Sequence, residues 1–144
     1  MFKKILVCSD LTAGSAAAIK AALAFEIPQA GEICVLHVVP LPAQIRRWAA
    51  PVFKDDVKLY FDLLERQVQQ AQLELERQVN RLAGGALAAS VVVRAVSGDP
   101  ASMIASTADE LQSDLIIVAR GRRGILGFIA EQVVRMTGRT VLVV

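Results

Sequence analysis

Short, unbroken runs of aliphatic residues recur along this chain, and the stretches between them are long enough to be helices. Residues 5–8 (Ile-Leu-Val-Cys), 32–39, 89–96, 115–118 and 140–144 are the apolar runs. They do not alternate with polar residues, as a strand with one wet face would, so they read as strands covered on both sides. The stretch 15–25 is Ala-rich, follows Gly14 with Ser15 as the expected cap, and ends before Pro28. From about residue 54 to Leu82, the residues Leu64, Val68, Ala71, Leu75, Val79 and Leu82 form one apolar stripe on a long helix, stopped by Gly84-Gly85. Asp99 is placed to cap a further helix opened by Pro100, with Met103, Ile104, Thr107, Ala108 and Leu111 on its apolar face. Residues 128–136 make a last, short helix. Strands alternating with helices predict an α/β fold: a five-stranded parallel sheet in the order 3-2-1-4-5, Rossmann-like, with helices on both faces. With 144 residues and no linker, repeat or low-complexity tract, the chain reads as one domain, residues 1–144.

Composition then removes whole classes of function. Hydrophobic residues make up 54% and charged residues 21%, which supports a buried core and excludes intrinsic disorder. Sixteen basic against fourteen acidic side chains leave a net charge of +2, too small for a protein held to nucleic acid by charge alone. Cys8 and Cys34 sit inside apolar runs and His37 is the single histidine, so no zinc spacing or disulfide framework is present. Such thiols suit a reducing cytoplasm. The apolar run after Lys3-Lys4 stops at Ser9-Asp10, too short for a signal peptide. No stretch reaches the roughly 18 apolar residues of a membrane span. A soluble, cytoplasmic protein without membrane or nucleic-acid partners is the expectation.

In open α/β sheets the ligand crevice lies beyond the carboxyl ends of the strands where the winding reverses, here between strands 1 and 4. The loops at that point are residues 9–14, carrying Asp10, and residues 120–127, carrying Arg120, Gly121, Arg122, Arg123, Gly124 and Gly127. An Arg/Gly loop leading into a helix N-terminus offers amide groups, dipole and charge to an anion, so a phosphate or nucleotide site is one reading. The glycines also suit ordinary tight turns, the arginines a solvated surface or an oligomer contact, and Asp10 a hydrogen bond to its own loop. His37, Cys8 and Cys34 read as core residues. The Leu64 to Leu82 stripe reads as core or partner-helix surface. No catalytic or metal-binding residue is indicated.

Several segments, in order, resemble the universal stress protein family. These are Ile5-Leu-Val-Cys-Ser-Asp10 before an Ala-rich helix, Leu36-His-Val-Val39, Ser97-Gly-Asp-Pro100, Asp114-Leu-Ile-Ile-Val118, Ile125-Leu-Gly-Phe-Ile-Ala-Glu131 and the closing Thr140-Val-Leu-Val-Val144. The weakest similarity is in the middle, from Leu41 to Gly85. The resemblance implies an adenine nucleotide alpha hydrolase-like fold and, in many members, ATP binding without rapid turnover. It assigns the family's acid after strand 1 to Asp10 and its strand-2 backbone contact to Val38. The family's glycine pattern, G-x2-G-x9-G-[ST], opens at Gly121 and Gly124, with Gly127 as the third glycine. Only Ile125 and Leu126 separate Gly124 from Gly127, where the pattern has nine residues. Anchoring on Asp114 instead brings Ala119 and Arg122 to the first two glycine positions. Phe128 stands where the pattern has Ser or Thr, which removes a hydroxyl donor and crowds an anion. Arg120, Arg122 and Arg123 compensate in part through charge.

The expectation is therefore a stress-response regulatory or binding protein with weak or absent ATP binding. The alternative is a protein that binds ATP or another adenine nucleotide through Asp10 and the Arg/Gly loop. The resemblance also implies a homodimer through the edge strand that begins at Thr140 and ends at Val144; an uncharged apolar edge invites such pairing. An enzyme on the same fold, such as an ATP pyrophosphatase or adenylyl transferase, needs a Ser-Gly-Gly-x-Asp-Ser loop that Ser9-Asp-Leu-Thr-Ala-Gly-Ser15 lacks. A flavodoxin-like phosphate loop at Thr12-Ala-Gly-Ser15 is a partial match only, and a receiver domain needs paired acids after strand 1. The segment from Pro40 to Phe53, with Arg46, Arg47 and Trp48, reads as a packed connection or as a lid.

Overall fold

The computed structural model of this protein describes residues 2–41, 54–84, 90–120 and 128–144, the side chains of 54–56 excepted. The strands are β1 (Lys4–Cys8), β2 (Glu32–Pro40), β3 (Val91–Gly98), β4 (Leu115–Val118) and β5 (Thr140–Val143). The helices are α1 (Ser15–Ala24), α2 (Lys54–Leu82), α3 (Pro100–Leu111) and α4 (Phe128–Met136). All neighbouring strands pair in parallel, in the order β3-β2-β1-β4-β5. The winding thus reverses between β1 and β4.

Each central strand feeds two cores because successive side chains point to opposite faces. Ile5, Val7, Ile33, Val35, Leu115 and Ile117 pack on one face with Ala18, Ile19 and Ala22 of α1 and Leu75 and Val79 of α2. Leu6, Cys34, Leu36, Ile116 and Val118 pack on the other with Ala101, Ile104 and Ala108 of α3 and Ala130 and Val133 of α4. This double burial is why the strands are continuous aliphatic runs. Further up α2, Leu59, Phe61 and Leu63 are exposed.

Local chemistry sets the boundaries. Asp99 caps α3, its side chain accepting from Ser102 N, with Pro100 as the first helical residue. Gly84 takes a positive φ of 71° just past α2, a conformation that ends a helix without a Cβ penalty. α1 corrects the sequence reading: its N-cap is Gly14, which makes no side-chain cap bond, and Ser15 is already helical. β3 lies two residues later than its hydrophobic run, because Ser97 and Gly98 pair with Val39 and Pro40 of β2.

The two outer edges of the sheet differ. Along β3, the side-chain amide of Gln72 in α2 donates from Nε2 to Val93 O (2.9 Å), and its Oε1 accepts from Ala95 N (2.6 Å). At β5, Val144 N donates to Val118 O (3.0 Å) and Arg120 N donates to Val144 O (2.6 Å), so Val144 faces β4. Alternation then turns the backbone groups of Val141 and Val143 outward. Among the described residues nothing pairs with that outer edge. Also among the described residues, no helix is long and apolar enough to cross a membrane.

Candidate functional site

A cleft of about 640 Å³ opens at the carboxyl ends of β1, β2 and β4. Its volume falls within the ~300–1,000 Å³ of typical small-molecule sites. The floor is apolar, and Asp10, His37 and Arg120 contribute polar groups to the wall. Asp10 and Arg120 thus share one cleft, one on the loop after β1 and the other just past β4. Gly121, Arg122, Gly124 and Gly127, singled out from the sequence, lie outside the described residues, as do Arg123 and the segment 42–53.

Asp10 is held by its own loop. Its Oδ1 accepts from Thr12 N (2.9 Å) and from the hydroxyls of Thr12 and Ser15, while its backbone N donates to Ser15 Oγ (2.8 Å). Ser15 was expected to cap α1; in the structure it binds Asp10 instead. Partial burial pushes the Asp10 carboxyl pKa up, but the hydrogen bonds from Ser15 and Thr12 outweigh it and hold the pKa below the usual aspartate value. These bonds all fall on Oδ1, which leaves Oδ2 for a ligand.

The loop hangs from Ser9. Ser9 N donates to Leu36 O (2.9 Å), and Ser9 O accepts from His37 Nδ1 (2.7 Å). A carbonyl only accepts, so the proton of that bond is on Nδ1. His37 is half-buried with Nδ1 satisfied, and it stands on the cleft wall rather than in the core where the sequence reading put it. The Leu36 carbonyl is turned toward β1, so the backbone groups of Val38, two residues on, point the same way. There β1 has already ended, and they meet the cleft that Val38 lines.

Phe128 opens α4 at the cleft wall, with 74% of its surface exposed, and Ile129 beside it is also exposed. A helix N-terminus is where amide groups and dipole suit an anion; here the first residue presents a phenyl ring. Cys8 also lines the cleft, and burial followed by repulsion from Cys34 pushes its thiol up to about 12. Burial raises Cys34 to about 11. Both thiols are free and protonated at neutral pH, hence poor nucleophiles and poor metal ligands. Among the described residues, no group of three or more His, Cys, Asp or Glu side chains is placed to hold a metal.

Sequence reasoning missed Gln78. It is only 6% exposed on α2, accepts at Oε1 from Ser9 Oγ (2.7 Å) and donates from Nε2 to Thr12 O (3.2 Å). No gap in the pattern marked it: Val79 fills that step of the stripe, so Gln78 reads as one more polar residue of α2.

A model described as the universal stress protein family matches residues 1–144. No curated protein matches the sequence. Among solved structures, hypothetical protein MJ0577 shares 26% identity over 100% of this chain and 96% of its own, with a TM-score of 0.79. A universal stress protein in complex with cAMP shares 19% identity over 99% and 96%, at 0.66. The universal stress protein from Archaeoglobus fulgidus in complex with dAMP shares 18% over 97% and 95%, at 0.60. At those last two identities the likeness speaks to the fold.

Proposed function

The chain belongs to the universal stress protein family, and from that premise we propose that it is a regulatory binding protein rather than an enzyme. In this reading the cleft takes the nucleoside end of an adenine nucleotide and grips the triphosphate of ATP weakly or not at all. The observation that carries it is the exposed ring of Phe128 at the first turn of α4, on the cleft wall. A phenyl ring brings no hydroxyl to a phosphate. The nucleoside half is better provided for. The Val38 backbone offers a donor and an acceptor to a base edge, and Asp10 Oδ2 an acceptor to a hydroxyl or amino group. The complexes of two similar structures with cAMP and dAMP support an adenine monophosphate as the ligand class.

The non-enzymatic reading is supported by the state of Asp10. A carboxylate with a lowered pKa and one oxygen held by three donors is a poor general base. A homodimer through β5 belongs to the same proposal, supported by the outward backbone groups of Val141 and Val143. So does a cytoplasmic setting, supported by the two free buried-type thiols. Arg120 favours a second reading, in which it and the Arg/Gly loop, including Gly121, Arg122, Gly124 and Gly127, hold the phosphates of ATP.

The test is to release and identify any nucleotide carried by the purified protein, then titrate it with AMP and ATP by calorimetry. The proposal expects AMP to bind at least as tightly as ATP. Micromolar ATP binding, tighter than AMP, would overturn it in favour of the second reading.

A further inference from the structure

The turn from Ser9 to Thr12 is an improbable piece of backbone. Leu11 has φ of 67°, the left-handed region that a branched side chain rarely adopts. Such a conformation persists only where its surroundings over-determine it. Within the turn, Leu11 N donates to Ser9 Oγ (3.0 Å) and Thr12 N to Asp10 Oδ1 (2.9 Å). These bonds are local and move with the turn. The tie from α2 comes from outside: Gln78 accepts from Ser9 Oγ at one end of the turn and donates to Thr12 O at the other. One side chain therefore spans the turn, with Asp10 between its two points of attachment.

The chemistry allows only this orientation of the amide. Thr12 O is a carbonyl and must receive the amide nitrogen, so the amide oxygen is left for Ser9 Oγ. Ser9 Oγ donates to that oxygen and accepts from Leu11 N, which completes the chain of bonds. Glutamate fails at the Thr12 end because it has no donor, and an aliphatic side chain fails at both.

We propose that Gln78 is a positioning residue: from α2 it holds the Ser9 to Thr12 turn in its left-handed conformation and so presents the Asp10 carboxylate to the cleft. Gln78 itself does not line the cleft; it acts through the turn. The consequence for ligand binding rests on the nucleotide reading above, whereas the consequence for Asp10 does not.

The experiment uses Gln78→Met, which keeps volume and apolar packing but removes both bonds, and Ser9→Ala, which removes the Ser9 arm together with the Leu11 N bond and leaves the Thr12 arm. Circular dichroism checks that each variant is folded. The titration of the Asp10 side-chain carboxyl carbon is then followed by NMR, with the exchange rates of the Leu11 and Thr12 amides. In the folded variants the Asp10 midpoint rises toward the ordinary aspartate value and the two amides exchange faster, while core amides such as those of Ile117 keep their protection. AMP affinity falls about tenfold, the scale of one lost well-placed hydrogen bond. An unchanged Asp10 midpoint and unchanged Leu11 and Thr12 exchange in folded Gln78→Met overturn the proposal. If Gln78→Met does not fold, an unchanged Asp10 midpoint and unchanged Thr12 exchange in Ser9→Ala overturn it. If the wild-type protein takes no AMP, the functional reading fails, but the Asp10 titration still decides this one.

Discussion

Replacing Phe128 with serine turns the proposed defect of the phosphate side into a measurable quantity. The ring is 74% exposed, so its removal should cost the fold little. If an aromatic side chain buries about 200 Å² when fully covered, about a quarter of that is about 50 Å², or about 1.3 kcal/mol at 25 cal/mol per Å². The gain is at the cleft. A hydroxyl on the first residue of α4 supplies a hydrogen bond to a charged oxygen, worth about 1.5–3 kcal/mol. With tenfold in affinity per 1.4 kcal/mol, ATP binding should tighten by about 10- to 150-fold. Calorimetry of wild type and Phe128→Ser with ATP, AMP and adenosine separates the contributions. Adenosine has no phosphate, so its affinity should stay unchanged. The reasoning is refuted if ATP gains nothing, or if adenosine gains as much as ATP.

Three further outcomes follow from the geometry. Asp10 has a lower pKa folded than unfolded, so its contribution to stability is complete above the ordinary aspartate value near pH 4 and is lost as pH falls through the folded value. Asp10→Ala should therefore flatten the acid limb of stability against pH in denaturant titrations, and lower AMP affinity. Leu75 is fully buried between α2 and the sheet, and Leu75→Ala should cost about 3–5 kcal/mol in urea unfolding. Val143→Pro removes an outward N–H that β4 does not use, so the protein should fold and elute as a monomer, where wild type elutes as a dimer in gel filtration. A wild-type monomer at micromolar concentration defeats that expectation.

The parallel sheet was legible because strands buried on both faces have to be unbroken aliphatic runs, and because winding rules leave few strand orders open. The α3 start was legible for a different reason: Asp99 and Pro100 act within one turn of helix and need no tertiary partner. Ser15 was misread because a hydroxyl near a helix start can accept from the helix amides or bind another partner; here it donates to Asp10 Oδ1 and accepts from Asp10 N, five residues earlier. The end of β3 was misread because Ser97 and Gly98 carry no hydrophobic signal while their backbone still pairs with β2. Asp10 could be placed at the cleft because it follows a strand end where the winding reverses, and Val38 through the family resemblance alone. Gln72 and Gln78 could not, since whether a glutamine on a helix is wet or buried depends on which elements the helix crosses. The residues of the Arg/Gly loop fall outside what is described, so their part of the site stays a reading of sequence.

The amide of Gln72 imitates one residue of a parallel neighbour: it accepts the bond a strand would accept and donates the bond a strand would donate. A flat protein with both borders bare can add copies left and right without end, as fibres do. Here Gln72 takes two backbone groups of one border, Val93 O and Ala95 N, so a copy that pairs across that stretch of β3 must first displace it. Among the described residues, the border at β5 carries no such obstacle.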